Sequence, residues 1–257
     1  MRDERAVISP QARLHDSVQV DPFAVIGAGV EIAEGCRIGA HVVIDGPTTI
    51  GPRTRIYPFA AIGGDPQDKK FDDDEQSRLQ IGANNTIREY CTINRGTRGG
   101  GGLTRIGEGN WIMAYVHVAH DCRVGDHTIM ANNTTLAGHV TIDDYAVLGG
   151  FTKVHQFCRI GRHAFTAMDC GLSRDVPPYV MAAGHLAEPR GVNSEGLKRR
   201  GFTAEQVRNI RNAFKVLYRS DLRFEQALAQ LEVLVGKQPE LQPLVDFLRD
   251  TQRSIIR

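Results

Sequence analysis

The chain has 257 residues, of which 41% are hydrophobic and 24% charged, and its formal net charge is +1. This composition is typical of a globular protein, and the near-zero charge predicts no broad attraction to nucleic acid or to a membrane surface. No apolar stretch approaches the ~20 residues of a membrane-spanning helix, and the N-terminus has no apolar core typical of a secretory signal.

A six-residue period opens the chain. An aliphatic residue recurs at every sixth position, namely Ile8, Leu14, Val20, Ile26, Ile32, Ile38, Ile44, Ile50, Ile56 and Ile62. Such a period fits neither a 3.6-residue helix nor a simple alternating strand. It predicts a solenoid in which each hexad is a short strand followed by a corner.

The same period returns later in the chain. It covers Ile81, Ile87 and Ile93 and then Ile106, Ile112, Val118, Val124, Met130, Leu136, Ile142, Leu148, Val154 and Ile160. A small or short residue stands four positions after each aliphatic residue of the long second run. We therefore predict one solenoid domain over residues 1–190.

The five cysteines are Cys36, Cys91, Cys122, Cys158 and Cys170, an odd number with no CxxC pair. Three of them occupy the small position of a hexad, where a thiol acts as a compact hydrophobe. Unpaired cysteines at core positions predict a reducing, cytoplasmic setting.

Two insertions, near 64–80 and 95–105, interrupt the period. Insertions into a solenoid leave a corner as loops and commonly build its binding face. The Asp/Lys-rich first insertion favours a functional role. The glycine run of the second, which lacks the GK[ST] of a phosphate-binding loop, is equally well read as a flexible loop.

The period fades after Ala164, and we expect the two prolines of VPPYV to end regular structure. From residue 191 to 257 the pattern is helical. Thr203 and Gln206 predict a capping box at the start of a first helix, and two more apolar stripes follow. We predict a small helical domain that covers the last coil and its exposed strand edges.

The histidines of the second run gain significance if three hexads close one coil, because residues three hexads apart then stack about 4.8 Å from one another. On that register Gly138 and Gln156 lie above His120, and His139 lies above Asp121. His120, His139 and His155 then share one face.

This predicted cluster suits acyl transfer to a hydroxyl group. His120 offers a general base and Asp121 a carboxylate that orients it. Gly138 allows close approach of a substrate and presents an N–H for an oxyanion. No covalent serine or cysteine nucleophile is needed, because the acceptor hydroxyl attacks once its proton is removed.

A zinc site formed by His117, His120 and His139 is the competing interpretation. The gamma-class carbonic anhydrases, another hexapeptide solenoid family, bind zinc through three histidines that include a His-x4-His pair. Here the spacing is His-x2-His, and we expect no metal. Further alternatives are a related sugar N- or O-acyltransferase that uses coenzyme A or another nucleotide sugar, a metal-dependent hydratase, and a purely structural solenoid.

Several segments resemble one family along essentially the whole chain: VHVAHDCRVG, ANNTTLAGHVTIDD, VHQFCRIG, DVPPYV and GVNSEGLKRRGF. They are similar to the acyl-[acyl carrier protein]–UDP-N-acetylglucosamine O-acyltransferases of lipid A biosynthesis. The resemblance implies a mainly β fold, a left-handed parallel β-helix followed by a small C-terminal α-helical domain. It also implies a homotrimer with active sites between subunits and no cofactor.

The implied reaction transfers an R-3-hydroxyacyl group from acyl carrier protein to the 3-hydroxyl of UDP-N-acetylglucosamine. His120, Asp121 and Gly138 match the general base, its orienting partner and the oxyanion donor of the family. The positions that match contacts to the glucosamine portion are Asp68, Lys70, His117 and His139. Those that match nucleotide and diphosphate contacts are Gln156, Asn193, Glu195 and Arg200, and His155 and Arg199 match further cleft positions.

Met168 departs from the family members that use long acyl chains, in which the matching position at the end of the acyl groove is glycine. A methionine side chain spans three or four methylenes and would block the groove. We therefore expect a short donor of about ten carbons, since each excluded methylene is worth ~0.8 kcal/mol.

Overall fold

The computed structural model describes residues 1–72, 76–251 and 253–257; residues 73–75 of the first predicted insertion lie outside this description. The period of six produces short parallel strands that turn through three faces per coil, so the strands of successive coils stack into three sheets. The expected fold class, a hexapeptide-repeat parallel β-helix followed by helices, is confirmed.

Three sheets, called faces I, II and III, contain these strands. Face I contains β1 (Val7–Ile8), β4 (Val25–Ile26), β7 (Val43–Ile44), β10 (Ala61–Gly64), β13 (Thr92–Asn94), β16 (His117–Val118), β19 (Thr135–Leu136), β22 (Lys153–Val154) and β25 (Gly171–Leu172). Face II contains β2 (Arg13–Leu14), β5 (Val30–Ile32), β8 (Thr48–Ile50), β11 (Arg78–Ile81), β14 (Leu103–Ile106), β17 (Arg123–Val124), β20 (Thr141–Ile142) and β23 (Arg159–Ile160). Face III contains β3 (Gln19–Val20), β6 (Arg37–Ile38), β9 (Arg55–Ile56), β12 (Thr86–Ile87), β15 (Trp111–Ile112), β18 (Ile129–Met130), β21 (Val147–Leu148), β24 (Phe165–Thr166), β26 (Val180–Ala183) and the antiparallel β27 (Glu188–Val192).

The register is the predicted one. Val118 pairs with Leu136, and Leu136 pairs with Val154, so equivalent residues of successive coils are neighbours. The aliphatic position of each hexad in the second run is buried, and so is the small residue four positions later, as at Cys122 and Thr134. The interior of the prism is therefore a stack of aliphatic layers separated by compact side chains.

The corners of the second run share a feature that the register alone did not predict. The third residue after each aliphatic position of that run adopts a left-handed backbone conformation, as at Asp121 (φ 59°) and His139 (φ 61°). Aromatic side chains at this position stack from coil to coil along the three edges of the prism, which we call edges I–II, II–III and III–I after the faces they join. One such ladder on edge III–I contains Phe23, His41, Phe59, Tyr90 and Tyr115, with ring centroids 4.9–5.1 Å apart.

The prediction that the prolines of VPPYV end regular structure was wrong. Pro177 and Pro178 lie in a corner, where a missing N–H is tolerated, and Tyr179 takes the left-handed position (φ 72°). Strand β26 then continues face III beside β24, and β27 turns back along it.

In the described residues four helices follow: α1 (Ser194–Arg199), α2 (Ala204–Tyr218), α3 (Phe224–Val235) and α4 (Gln242–Arg249), with 3-10 turns at Pro239–Leu241 and, earlier, at Arg98–Gly100. The predicted capping box at Thr203 and Gln206 is present. The helices bury a second apolar core and attach to the coils through polar contacts, such as the bond from the Tyr179 hydroxyl to the Glu240 carbonyl (2.8 Å).

The structure contains no helix, in the described part of the chain, that is long and apolar enough to span a membrane. All five cysteines are buried and free of disulfides. Burial raises the pKa of each thiol, to about 12 at Cys122, so these groups stay protonated and act as core residues.

His163 predicts a specific pH dependence of stability. Its ring is buried between Tyr145 and Tyr179 on edge II–III, and burial, followed by Arg162 and Arg200, lowers its pKa from 6.5 to about 4. As the pH falls below 6.5, the unfolded chain takes up a proton that the folded chain refuses, so the free energy of unfolding decreases until the pH reaches about 4.

We expect His163→Phe, which retains the stack, to remove about 2 kcal/mol of this pH-dependent loss between pH 7 and pH 4.5. Denaturant unfolding of both proteins from pH 7 to pH 4.5 measures it. Equal loss of stability in the two proteins over this interval would contradict the assignment.

Candidate active site

His120 and Asp121 form a hydrogen-bonded pair at edge I–II, in the corner between β16 and β17. The Nδ1 of His120 lies 2.8 Å from Oδ2 of Asp121, and the carboxyl side chain is only 1% exposed. Because a carboxylate oxygen accepts, Nδ1 carries the proton of the neutral imidazole. Its Nε2 therefore holds a free lone pair, as a general base requires.

Gly138 lies directly against the imidazole, one coil further along the prism. A Cβ built on Gly138 would come within 2.8 Å of Nε2 and 2.6 Å of Cε1 of His120. Only a residue without a side chain leaves the free nitrogen accessible at this point.

The Gly138 N–H is also available to a ligand. At the equivalent corner position on edge II–III, the N–H groups of Glu108 and Asp126 donate to the carboxylates of Asp126 and Asp144 (2.7 and 2.9 Å). At edge I–II no acceptor within the described residues takes the Gly138 N–H. This corner thus combines a base with an unused backbone donor, the arrangement that an oxyanion requires.

Two threonines that the sequence analysis did not single out hold Asp121. Thr97 and Thr104 flank the glycine run of the second insertion, and both contact Asp121 through hydrogen bonds. The only signal in the sequence is the pair of threonines around that run. The insertion forms a turn against Asp121, which favours the functional interpretation of its glycine run over that of a flexible loop.

His139 and His117 lie beside this pair. The His139 Nε2 is 3.7 Å from Asp121 Oδ2, and its ring contacts His120 edge-on at 5.2 Å and stacks on Phe157 at 4.5 Å. Burial lowers the pKa of both His117 and His139, and the carboxylates of Asp121 and Asp68 act in the opposite direction at His139. Both rings are therefore neutral hydrogen-bonding groups near pH 7.

The first insertion brings the Asp68 carboxylate close enough to His139 to raise the pKa of that ring against the effect of burial. The carboxylate of Asp68 accepts the Lys70 N–H (2.9 Å), which forms a local turn. Arg95 anchors the start of the insertion through an ion pair with Asp65, and its guanidinium lies 5.4 Å from the centre of the Phe71 ring. The polar groups of the insertion thus have a defined attachment to the coils.

His155 and Gln156 lie on the next coil and are exposed. The Nδ1 of His155 lies 3.1 Å from the Gln156 carbonyl oxygen, which also accepts a bond from Arg253. Among the three histidines that were expected to share one face, His120 and His139 are in ring contact. For His155 the described contact is the one with the Gln156 carbonyl oxygen.

The remaining predicted nucleotide contacts lie on a different edge. Asn193 caps α1 and donates to the His163 carbonyl (3.0 Å), and the Arg200 guanidinium lies 4.7 Å from the Tyr145 ring centre. His163 and Tyr145 belong to edge II–III. Glu195 pairs with Lys198 (2.8 Å), which lowers the pKa of Glu195, and Arg199 is exposed.

Met168 lies on the third edge, III–I, in the corner between β24 and β25, where it is 75% exposed. The base, the α1 residues and Met168 therefore occupy the three different edges of one protomer.

The geometry also bears on the zinc alternative. The side-chain ligand atoms of His120, Asp121 and His139 lie within 4.8 Å of one another, whereas the Nδ1 of His117 is hydrogen-bonded to Thr92 (2.7 Å). Both oxygens of Asp121 and the Nδ1 of His120 already have partners. A cation bound through Asp121 Oδ2 or His120 Nδ1 would have to displace these bonds, so these two atoms fit a hydrogen-bonded pair better than a metal centre.

Two protein-family models match the chain. The model described as UDP-N-acetylglucosamine O-acyltransferase, domain 2, matches residues 175–256, and the bacterial transferase hexapeptide model matches residues 11–46 and 103–138. The chain is 52% identical over 256 residues to the acyl-[acyl-carrier-protein]–UDP-N-acetylglucosamine O-acyltransferase of Herminiimonas arsenicoxydans, covering 98% of this chain and 97% of that protein. It is 51% identical to the enzyme of the same name from Stenotrophomonas maltophilia, with 98% and 96% covered.

Solved structures are similar over the whole length. The UDP-N-acetylglucosamine acyltransferase of Francisella novicida has a TM-score of 0.98 at 42% identity, covering 100% of this chain and 94% of that chain. The corresponding O-acyltransferase of Moraxella catarrhalis has a TM-score of 0.97 at 39% identity, with 100% and 99% covered.

Proposed function

The chain belongs to the acyl-[acyl-carrier-protein]–UDP-N-acetylglucosamine O-acyltransferase family, a family of acyltransferases, and we propose that it catalyses the first step of lipid A biosynthesis. It transfers an R-3-hydroxyacyl chain from acyl carrier protein to the 3-hydroxyl of UDP-N-acetylglucosamine. The observation that carries this proposal is the free Nε2 of His120 over Gly138, with Nδ1 bonded to Asp121.

In this reaction His120 Nε2 removes the proton of the 3-hydroxyl as its oxygen attacks the thioester carbonyl. Asp121 accepts the Nδ1–H bond and stabilises the imidazolium that forms. The carbonyl oxygen becomes an oxyanion, to which the Gly138 N–H donates. Collapse of the tetrahedral intermediate forms the ester and releases the carrier-protein thiolate, which takes the proton back from His120.

We assign the sugar to the residues around this corner: Asp68, Lys70, His117 and His139. The nucleotide and diphosphate are assigned to Gln156, Asn193, Glu195 and Arg200, with His155 and Arg199 as further contacts. The cationic side chains at the end of α1 suit a diphosphate and an acidic carrier protein.

We propose a homotrimer, because His120 on edge I–II and the α1 residues on edge II–III of one protomer face different directions. In a trimer, α1 of one subunit completes the sugar-nucleotide site at the His120 corner of its neighbour. We place the reaction in the cytoplasm, without cofactor or metal, and the five free, buried thiols support a reducing setting.

An acyl-transfer assay tests the proposal. We expect the purified protein to acylate UDP-N-acetylglucosamine from a 3-hydroxyacyl carrier-protein thioester and to retain full activity in EDTA. Parallel reactions with a coenzyme A thioester and with a 3-amino analogue of the sugar nucleotide distinguish the related acyltransferases. Transfer only to the amine, or loss of activity in EDTA, would contradict the proposal.

Gly138→Ala should lower kcat about 100-fold, because the added methyl group would displace the imidazole from the acceptor hydroxyl. Gly236→Ala is the control, since its nearest neighbour is a carbonyl oxygen 3.8 Å away. Steady-state kinetics of both variants check the prediction. If Gly138→Ala had the kcat of the wild type, the assignment of Gly138 to the active site would be contradicted.

A further inference from the structure

The second insertion contacts the Asp121 side chain through Thr97 and Gly100. We propose that the turn from Thr97 to Gly102, which need not touch either substrate, positions Asp121 and through it His120. This inference rests on the proposed function, because it concerns how the same base is oriented. Thr97 and Gly100 are the positioning residues of the turn.

Thr97 holds both carboxylate oxygens of Asp121. Its backbone N–H donates to Oδ1 (2.9 Å), and its hydroxyl donates to Oδ2 (2.6 Å), the same oxygen that accepts from His120 Nδ1. Two donors from one residue define the plane of the carboxylate. That plane in turn defines the direction in which Nδ1–H, and hence Nε2, must point.

The Thr97 hydroxyl is itself oriented by the turn. Its oxygen accepts the Gly100 N–H (3.1 Å), while the Thr97 carbonyl accepts the Gly102 N–H (2.7 Å). Because the hydroxyl has a single hydrogen, the bond from Gly100 leaves that hydrogen directed at Asp121. Thr104, at the other end of the turn, accepts the Asp121 N–H (2.8 Å) and so secures the backbone.

Gly100 also covers the carboxylate. A Cβ on Gly100 would overlap the Asp121 carboxyl group, well inside any van der Waals contact. Gly99, its neighbour in the same 3-10 turn, has no atom within 4 Å of its own Cβ position. The glycine requirement is therefore specific to Gly100 and arises from contact with Asp121.

Thr97 and Asp121 are both buried, which strengthens the effect of each hydrogen bond between them. Thr97 is 8% exposed and Asp121 5%, so the carboxylate depends on protein donors rather than water. An Asp121 oxygen that loses the Thr97 hydroxyl carries more negative charge toward His120 and so stabilises the imidazolium form of that ring more strongly. The acid limb of the pH profile of kcat/KM would then move to higher pH.

The test compares Thr97→Val with Thr97→Ser. We expect Thr97→Val to lower kcat about 10- to 100-fold with little change in KM. We also expect it to move the acid limb upward by about half a unit to one unit. Thr97→Ser, which retains the hydroxyl, should have the kcat and the acid limb of the wild type. Thr54→Val is the control for loss of a buried hydroxyl, since Thr54 bonds the Gly82 carbonyl far from this corner.

A second pair of variants, Gly100→Ala and Gly99→Ala, tests the positioning role without changing the Thr97 hydroxyl. Gly100→Ala should lose at least about 100-fold in kcat, whereas Gly99→Ala should retain wild-type kcat. Circular dichroism and gel filtration establish that each variant is folded and assembled.

A wild-type acid limb and kcat in Thr97→Val, or equal effects of the two glycine substitutions, would overturn the positioning role. If His120→Ala is inactive in the same assays, that result leaves the proposed function intact. Activity in His120→Ala would instead overturn the base assignment itself.

Discussion

Replacing His120 with alanine is expected to lower kcat by about 1,000-fold or more. In the proposed reaction the free Nε2 of His120 removes the proton of the acceptor hydroxyl, and its Nδ1 is bonded to the buried Asp121 carboxylate. Without it, the 3-hydroxyl has no base that is oriented toward the thioester. Steady-state acyl transfer from a 3-hydroxyacyl carrier protein measures the loss.

His41→Ala is the matched control. His41 is also a corner histidine, stacked between Phe23 and Phe59 on edge III–I, and has no role in the proposed reaction. We expect its kcat to equal that of the wild type. A comparable loss of activity in both variants would indicate a general effect of corner histidines on the solenoid instead of catalysis.

Met168→Gly is expected to shift the preferred donor from about ten carbons toward fourteen. Four additional methylenes are worth about 3 kcal/mol when they are buried, so the ratio of kcat/KM for the long and short donors should rise about 100-fold. Met168 is 75% exposed in a protomer, so its removal leaves the buried core unchanged. A series of carrier-protein thioesters of increasing length measures the preference.

Met168→Leu is the comparison for this prediction, because leucine retains most of the side-chain volume and should retain the short-chain preference. An unchanged chain-length profile in Met168→Gly would show that the methionine does not limit the acyl groove. If the wild-type protein itself preferred a donor of fourteen carbons, that result would also show that Met168 does not limit the groove.

The coil architecture was predictable because one physical requirement repeats. Every sixth side chain must fill the prism interior, so Val118, Leu136 and Val154 recur at the interval that places them in register. The same register is sufficient to place Gly138 above His120, because the two residues are three hexads apart. The helical segment was equally readable, since the capping box at Thr203 marks where the period changes.

The parts of the site that were not predictable are those outside the repeat. The contact of Thr97 with Asp121 joins residues across an insertion, and no period relates them. The corner aromatic ladders do follow the coil period, at the third position after each aliphatic residue, and could have been read from it. Pro177 and Pro178 were misread because a corner between strands tolerates residues that a continuous strand excludes.

The most direct test of the account is the single-turnover rate of acyl transfer in His120→Ala, measured together with the affinity for UDP-N-acetylglucosamine by calorimetry. The account predicts that the rate falls by about 1,000-fold while the dissociation constant changes by less than about tenfold. A single-turnover rate close to that of the wild type, or a loss of rate explained entirely by weaker binding, would contradict it.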